Sequence, residues 1–276
     1  MLDNLQVIPG EAFTATGSVM EKLIDKVSNA VGWVVIPNAN KTYQLESEKY
    51  LIEQIKNDSN MPPVAKAAAI SKVRSLIKKY SNQHEILSIA TQYLEENIEP
   101  EKVDDDWLNF FFEKAQNINQ KDVQFIWGNI LAKEFNSPNS ISKHLLHILT
   151  IIDYNAAESF KKLADYCILV DGKDTPIIWL DAIDKIYYQN NLTVDEIFQL
   201  VDIGLAQVST EGYIYKLETD EKLMYLGNEI DIGDSKTISA GNVILSKAGE
   251  ELMSILTDRR CIDGFEALVN ERLLED

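Results

Sequence analysis

Cysteine is scarce in this chain. Only Cys167 and Cys261 stand among its 276 residues, which excludes a disulfide framework. Set in helix-like surroundings, both read as buried reduced thiols. Long apolar runs are missing as well. The longest, VGWVVIP at 31–37, falls far short of the ~20 residues that a membrane-spanning helix takes. The opening MLDNLQVIPGEAF has neither a basic n-region nor an apolar h-region, so no secretory signal is read there. The expected location is cytoplasmic.

Sequence motifs that carry chemistry are absent too. There is no G-x-x-x-x-G-K-[ST], which excludes a P-loop, and no G-x-G-x-x-G to support a dinucleotide site of that type. G-x-S-x-G, H-E-x-x-H and the calcium-loop pattern D-x-D-x-D-G do not occur either. No cofactor is called for. Positive charge is in short supply, with 26 Lys and Arg against 44 Asp and Glu and a formal net charge of −18. Residues 1–170 carry 22 acids and 17 bases, a net of −5, whereas residues 171–276 carry 22 and 9, a net of −13. Phosphate backbones and anionic lipid would be repelled by such a C-terminal part, which argues against nucleic acid. The contrary segment is 56–79, where Lys56, Lys66, Lys72, Arg74, Lys78 and Lys79 face only Asp58. It reads as a solvated helix surface or as a partner-binding face.

What is present is helical periodicity. Ser18 with Glu21 has the spacing of a capping box, and Met20, Leu23, Ile24, Val27 and Val31 then form one apolar stripe. The GWVVI that follows is a buried extension, a short strand or a surface patch. Peripheral membrane contact through 18–37 lacks the basic polar face that such helices carry. Further helices are expected over 41–57, from Pro63 through VAKAAAISKVRSLIKKY, and, after a Ser-Asn break, through QHEILSIATQYLEENI.

DDDWLNFFF at 104–112 poses the sharpest choice, between metal ligands beside an aromatic pocket and the start of a core helix. Trp107, Leu108, Phe111, Phe112, Ala115 and Ile118 repeat as one broad apolar face. Asp104, Asp105 and Asp106 then fall at the N-cap and first turn, where carboxylates satisfy free amides. The core helix is the favoured reading, with Phe110 off its face and free to meet a second neighbour. KDVQFIWGNILAKEF and ISKHLLHILTIID continue the bundle pattern around NSPNS at 136–140.

These residues carry a resemblance. The block from Asp104 to Leu149 resembles the signature of an uncharacterised bacterial family known only as a domain of unknown function. An Asp-Trp pair matches Asp106-Trp107, a Phe pair matches Phe111-Phe112, and a later Gln and Trp match Gln124 and Trp127. An Ile-Leu-Ala-x-Glu run matches Ile130, Leu131, Ala132 and Glu134, and a Pro-x-Ser-x-Ser turn matches Pro138, Ser140 and Ser142. Upstream, Leu23, Ile24, Val27, Gly32 and Pro37 fit as well, so the likeness covers about 18–165. Lys133 and Asn139 stand where the pattern commonly has glycine. The resemblance implies structural roles for the signature residues and brings no established activity, though related bacterial families are associated with phage defence.

The texture changes after residue 170. LTVDEIFQLVDIGLAQVS reads as a helix, a turn at Gly204 and a strand; YIYKLE and KLMYL alternate like a β-hairpin; NVILSKAGEELMSIL reads as a strand before a Ser-capped helix. This layout resembles the end of a winged-helix domain, without its basic recognition helix. The expected fold is therefore mainly α: a helical bundle of six to eight helices over 1–170, then a smaller acidic α+β winged-helix-like module over 171–276. Of the histidines, His84, His144 and His147, the last two lie three apart on one helix, and with Glu134 they form the candidate metal set. Three functions remain open. In order of preference they are a non-enzymatic interaction or assembly protein with a protein partner or a homo-oligomeric state, a metal-dependent enzyme using His144 and His147, and a winged-helix transcriptional regulator.

Overall fold

The computed structural model describes residues 17–32, 35–36, 41–182, 186–190, 192–217, 222–230, 237–256 and 259–272. Mainly helical with some β-structure, these residues hold ten α-helices and two antiparallel sheets. They fall into two compact units, Met1–Lys143 and His144–Asp276. Among them no helix is long and apolar enough to cross a membrane.

The first unit contains α1 (Gly17–Val31), α2 (Lys41–Asn57), α3 (Pro63–Ala90), α4 (Asp105–Ala115) and α5 (Lys121–Asn136). Of the apolar stripe on α1, Leu23 and Val27 are fully buried. The side chain of Ser18, and with it the expected capping box, lies outside the described residues, as do Trp33 and Pro37. α3 opens at Pro63, where the missing N–H costs no intrahelical bond. It then runs unbroken past Ser81 and Asn82, so the break expected there does not exist. The Asn82 amide is buried and donates to Gln116 O at 2.9 Å. Committed to a neighbouring helix, it does not compete for the local backbone bonds that would have ended its own.

α4 begins as the aspartate run dictates. Asp104 Oδ1 accepts from Trp107 N at 2.7 Å, and Asp105 and Asp106 occupy the first turn. Trp107, Leu108, Phe111, Phe112 and Ala115 are buried, while Ile118, past the helix end, is half-buried. Ring centroids of Trp107 and Trp127 each lie 5.1 Å from that of Phe111, and Phe112 meets it edge-on at 5.2 Å. α3 and α5 approach each other closely at Gly128. A Cβ there would stand 2.4 Å from Ile89 Cγ2 and 3.2 Å from Ile86 O.

In the second unit, α6 (Lys143–Ile151) and α7 (Tyr154–Ala164) precede β1 (Cys167–Val170) and β2 (Lys173–Pro176). Then come α8 (Val194–Asp202), β3 (Ala206–Lys216), β4 (Leu223–Tyr225), β5 (Asn228–Ile230), β6 (Thr237–Leu245), α9 (Lys247–Met253) and α10 (Phe265–Arg272). The change of texture after residue 170 thus falls inside this unit, at the β1–β2 turn. One sheet has the order β2-β1-β4-β5 and the other pairs β3 with β6. YIYKLE and KLMYL do not form a hairpin with each other: β3 pairs with β6, and β4 with β1 and β5. Alternation marks a strand but not its neighbour. The two tight hairpins turn at Asp171-Gly172 and Leu226-Gly227, where all four residues have positive φ (48°, 69°, 47° and 89°), the conformation of two-residue turns that match strand twist.

Tyr166, Tyr187, Tyr225 and Phe265 build this unit's aromatic core, with centroid separations of 4.9 to 5.2 Å. Beside them the buried Asp165 carboxylate accepts from Arg260 N at 2.7 Å and Arg260 Nε at 2.9 Å. The cysteines depart from expectation. Cys167 is buried, but on a strand, and burial pushes its thiol pKa up; Cys261 is exposed.

Candidate functional site

Two of the residues that carry the resemblance, Trp107 and Glu134, hold one loop, residues 137–142. Trp107 Nε1 donates to Ile141 O at 2.8 Å. Glu134, 1% exposed, accepts from Asn139 N at 2.6 Å through Oε1 and from Ile141 N at 3.0 Å through Oε2. Both backbone ends of Ile141 are therefore gripped by signature side chains. Asn139, at a position where the pattern commonly has glycine, has φ 66°, a left-handed conformation that asparagine tolerates better than most residues. Pro138 is half-buried in this loop, and the buried Ser140 Oγ has no hydrogen-bond partner. Buried Gln124 donates to Ile118 O at 2.9 Å and Asn82 Oδ1 at 3.4 Å. Leu131 and Trp127 are buried too, Trp127 with its Nε1 unpartnered. Asp106 alone among the signature residues with side-chain charge is exposed.

His144 and His147 are exposed on α6. Both Glu134 oxygens accept backbone amides, so its carboxylate already serves the loop. Among the described residues no group of three or more His, Cys, Asp or Glu stands together as a metal site. His84 is buried on α3, its Nε2 3.0 Å from Ile36 O, while Tyr80 Oη accepts from Ile36 N at 3.0 Å. One turn of α3 thus engages both polar groups of the Ile36 backbone.

On the other face of α4 lies an open groove of about 480 Å3, lined by Val31, Gln83, Asp106, Asn109, Phe110, Phe112, Glu113 and Gln116. Its amide side chains are oriented by their partners. Asn109 Nδ2 donates to Ala30 O at 3.0 Å and Asp105 O at 2.9 Å. Gln83 Nε2 donates to Phe112 O at 3.1 Å, and Gln116 Nε2 to Glu113 O at 2.8 Å. A backbone carbonyl can only accept, so the NH2 end of each amide must face it. Asn109 has both N–H groups committed and only its oxygen left over, whereas Gln83 and Gln116 each keep the oxygen and one N–H. Lys114 Nζ sits 4.9 Å from the Phe110 ring centroid and 3.0 Å from Glu113 Oε1. Sequence periodicity put Phe110 off the core face. It did not reveal the groove, because Gln83 and Val31 join it from distant parts of the chain.

A second surface is the antiparallel helical hairpin of α2 with the first half of α3. Lys66 Nζ donates to Lys56 O at 2.7 Å, and Arg74 Nε lies 3.6 Å from Glu48 Oε1. Residues 41–79 carry eight bases and four acids, a basic island on an acidic chain. Lys72, Lys78 and Lys79 have no carboxylate partner among the described residues. The hairpin also exposes apolar side chains, Tyr50 on α2 and Val64 and Leu76 on α3, at 62%, 83% and 55% exposure.

A family model described as a protein of unknown function, DUF2806, matches residues 71–268, from within α3 into α10. The match leaves out 18–70, which the sequence resemblance included, and takes in 166–268, which it did not. No curated protein and no solved structure matches the chain.

Proposed function

The chain belongs to the DUF2806 family, and from that footing we propose that it is a non-enzymatic interaction or assembly protein whose α2–α3 hairpin docks on an acidic surface of a second copy. The carrying observation is the hairpin itself, which presents lysines with no carboxylate partner among the described residues together with exposed apolar side chains. An isolated solvated helix pair needs no such apolar residues, and their cover in an interface would contribute roughly 25 cal/mol per Å2 of apolar area. Residues 171–276, at a net of −13, supply the complementary charge. Opposite patches of this kind steer association and fix orientation.

The test is native mass spectrometry with light scattering at low and high ionic strength. At roughly 50 mM salt an oligomer is expected, dissociating toward monomer as screening shortens the range of the charges. The triple change Lys72→Glu, Lys78→Glu and Lys79→Glu, all on exposed or half-exposed helical positions, should give monomer at both. A monomer at low salt, or an oligomer indifferent to the triple change, overturns the reading.

One observation supports the regulator reading. α8, the turn at Gly204 (φ 83°), the β3–β6 ribbon and the Ser246-capped α9 follow in winged-helix-like order. Salt-sensitive DNA binding by the full chain would favour it over assembly.

A further inference from the structure

The groove on α4 points to a ligand class independently of the assembly reading. Asp106, Asn109, Phe110, Glu113 and Gln116 are strung along one helix, with Gln83 contributed by α3. From 106 to 116 a helix advances ~15 Å, so the row is long and narrow, not convergent on a point. Its polar ends are two carboxylates and three amide oxygens; the Asn109 NH2 is spent on two backbone carbonyls, and those of Gln83 and Gln116 on one each, which leaves one N–H on either glutamine. The oxygens along the row thus outnumber the two N–H groups left on Gln83 and Gln116. A compact divalent cation asks for six or more oxygens around one centre, which a linear row does not provide. An anion would find like charge there. The chemistry that fits is a linear aliphatic chain carrying ammonium groups. Its N–H donors would meet spaced oxygens and its charges the carboxylates, while the methylenes would lie on the half-exposed Phe110 and Val31.

The chain also holds a tethered example of this contact. The Lys114 ammonium lies over the Phe110 ring at 4.9 Å and bonds Glu113 at 3.0 Å, combining cation–π attraction with a charge-assisted hydrogen bond. We infer that this groove is a binding site for linear polyammonium chains, with Lys114 occupying one end of it when the ligand is absent. Such a chain comes either as a free polyamine or as successive lysine side chains of a protein segment.

Calorimetric titration of the full chain at roughly 150 mM salt tests the inference with two probes, spermidine and a short peptide with lysines at alternate positions. Saturable one-site binding of either supports the site, and the tighter probe names the source. The pair Asp106→Asn and Glu113→Gln, both exposed in the fold, should weaken binding at least tenfold. Lys114→Gln should tighten it several-fold by vacating Phe110 and Glu113. The control pair Glu211→Gln and Glu266→Gln removes equal charge from exposed positions outside the groove. The inference is overturned by no saturable binding of either probe, by equal weakening in the control pair, or by indifference to Lys114→Gln.

Discussion

Glu134 accepts the backbone amide of Asn139 at 2.6 Å, five residues ahead of it, while its other oxygen takes Ile141 N. A buried carboxylate bonded to two amides stabilises a loop only while it can accept at both oxygens. Glu134→Gln turns one acceptor into a donor facing a donor. A loss of about 2–3 kcal/mol in unfolding free energy is expected, read by urea denaturation. An unchanged midpoint would show that the loop is held without the carboxylate.

Asn139 provides a separate reading of the same turn. At φ 66°, glycine is free of Cβ strain, and Asn139→Gly should alter stability by no more than about 0.5 kcal/mol. Asn139→Val forces a branched side chain into the left-handed region and should cost about 1–2 kcal/mol. Thermal melts of the two variants side by side check the contrast, and equal melting points would reject it.

The α3–α5 contact predicts a sterically specific effect. Gly128→Ala is a favourable change for helix propensity, yet its Cβ would collide with Ile89. Overpacking should win, with a destabilisation of about 1–3 kcal/mol. Adding Ile89→Ala to Gly128→Ala should recover part of the overpacking cost, a coupling that a double-mutant cycle measures.

Glu196 supplies a pH dependence. Burial opposes its charged form, but the bond from Lys162 and those from the Thr193 amide and hydroxyl outweigh burial and hold its pKa below the usual glutamate value. With the folded pKa depressed, its contribution is present above the unfolded pKa and is lost as pH falls through the folded one. The melting-temperature gap between wild type and Glu196→Gln should therefore hold near neutrality and close on acidification below about pH 4. A gap that widens on acidification would contradict the sign.

Local rules made the helices legible, and the limits of those rules explain what was not. Asp104 capped and the Trp107–Phe112 face went inward because an N-terminal carboxylate and a 3.6-residue period are properties of one segment. On α5, the same period correctly placed Trp127, Ile130, Leu131 and Phe135 in the core, with Val123 and Ile126 at its edge. Asn82 misled because its partner, Gln116 O, is supplied by another helix. Asp171-Gly172 is a hairpin signal present in the sequence, whereas Leu226 at positive φ carries no such signal. The β3–β6 pairing and the groove both join distant segments, which alternation and periodicity do not encode. The pattern is legible in the sequence, but the grip of Trp107 and Glu134 on Ile141 needs the folded backbone.

The order of the β2-β1-β4-β5 sheet has a consequence for synthesis on the ribosome. β1 can zip to β2 as soon as the Asp171-Gly172 turn emerges, but its other edge waits for β4 at 223–225. Until then β1 presents an unsatisfied edge with Cys167 and Ile168 on its apolar faces. Pairings of large sequence separation form late because loop closure precedes their reward. The nascent chain therefore passes through an interval in which this half-built sheet presents an open edge to a chaperone, and slower synthesis between 170 and 223 would lengthen it.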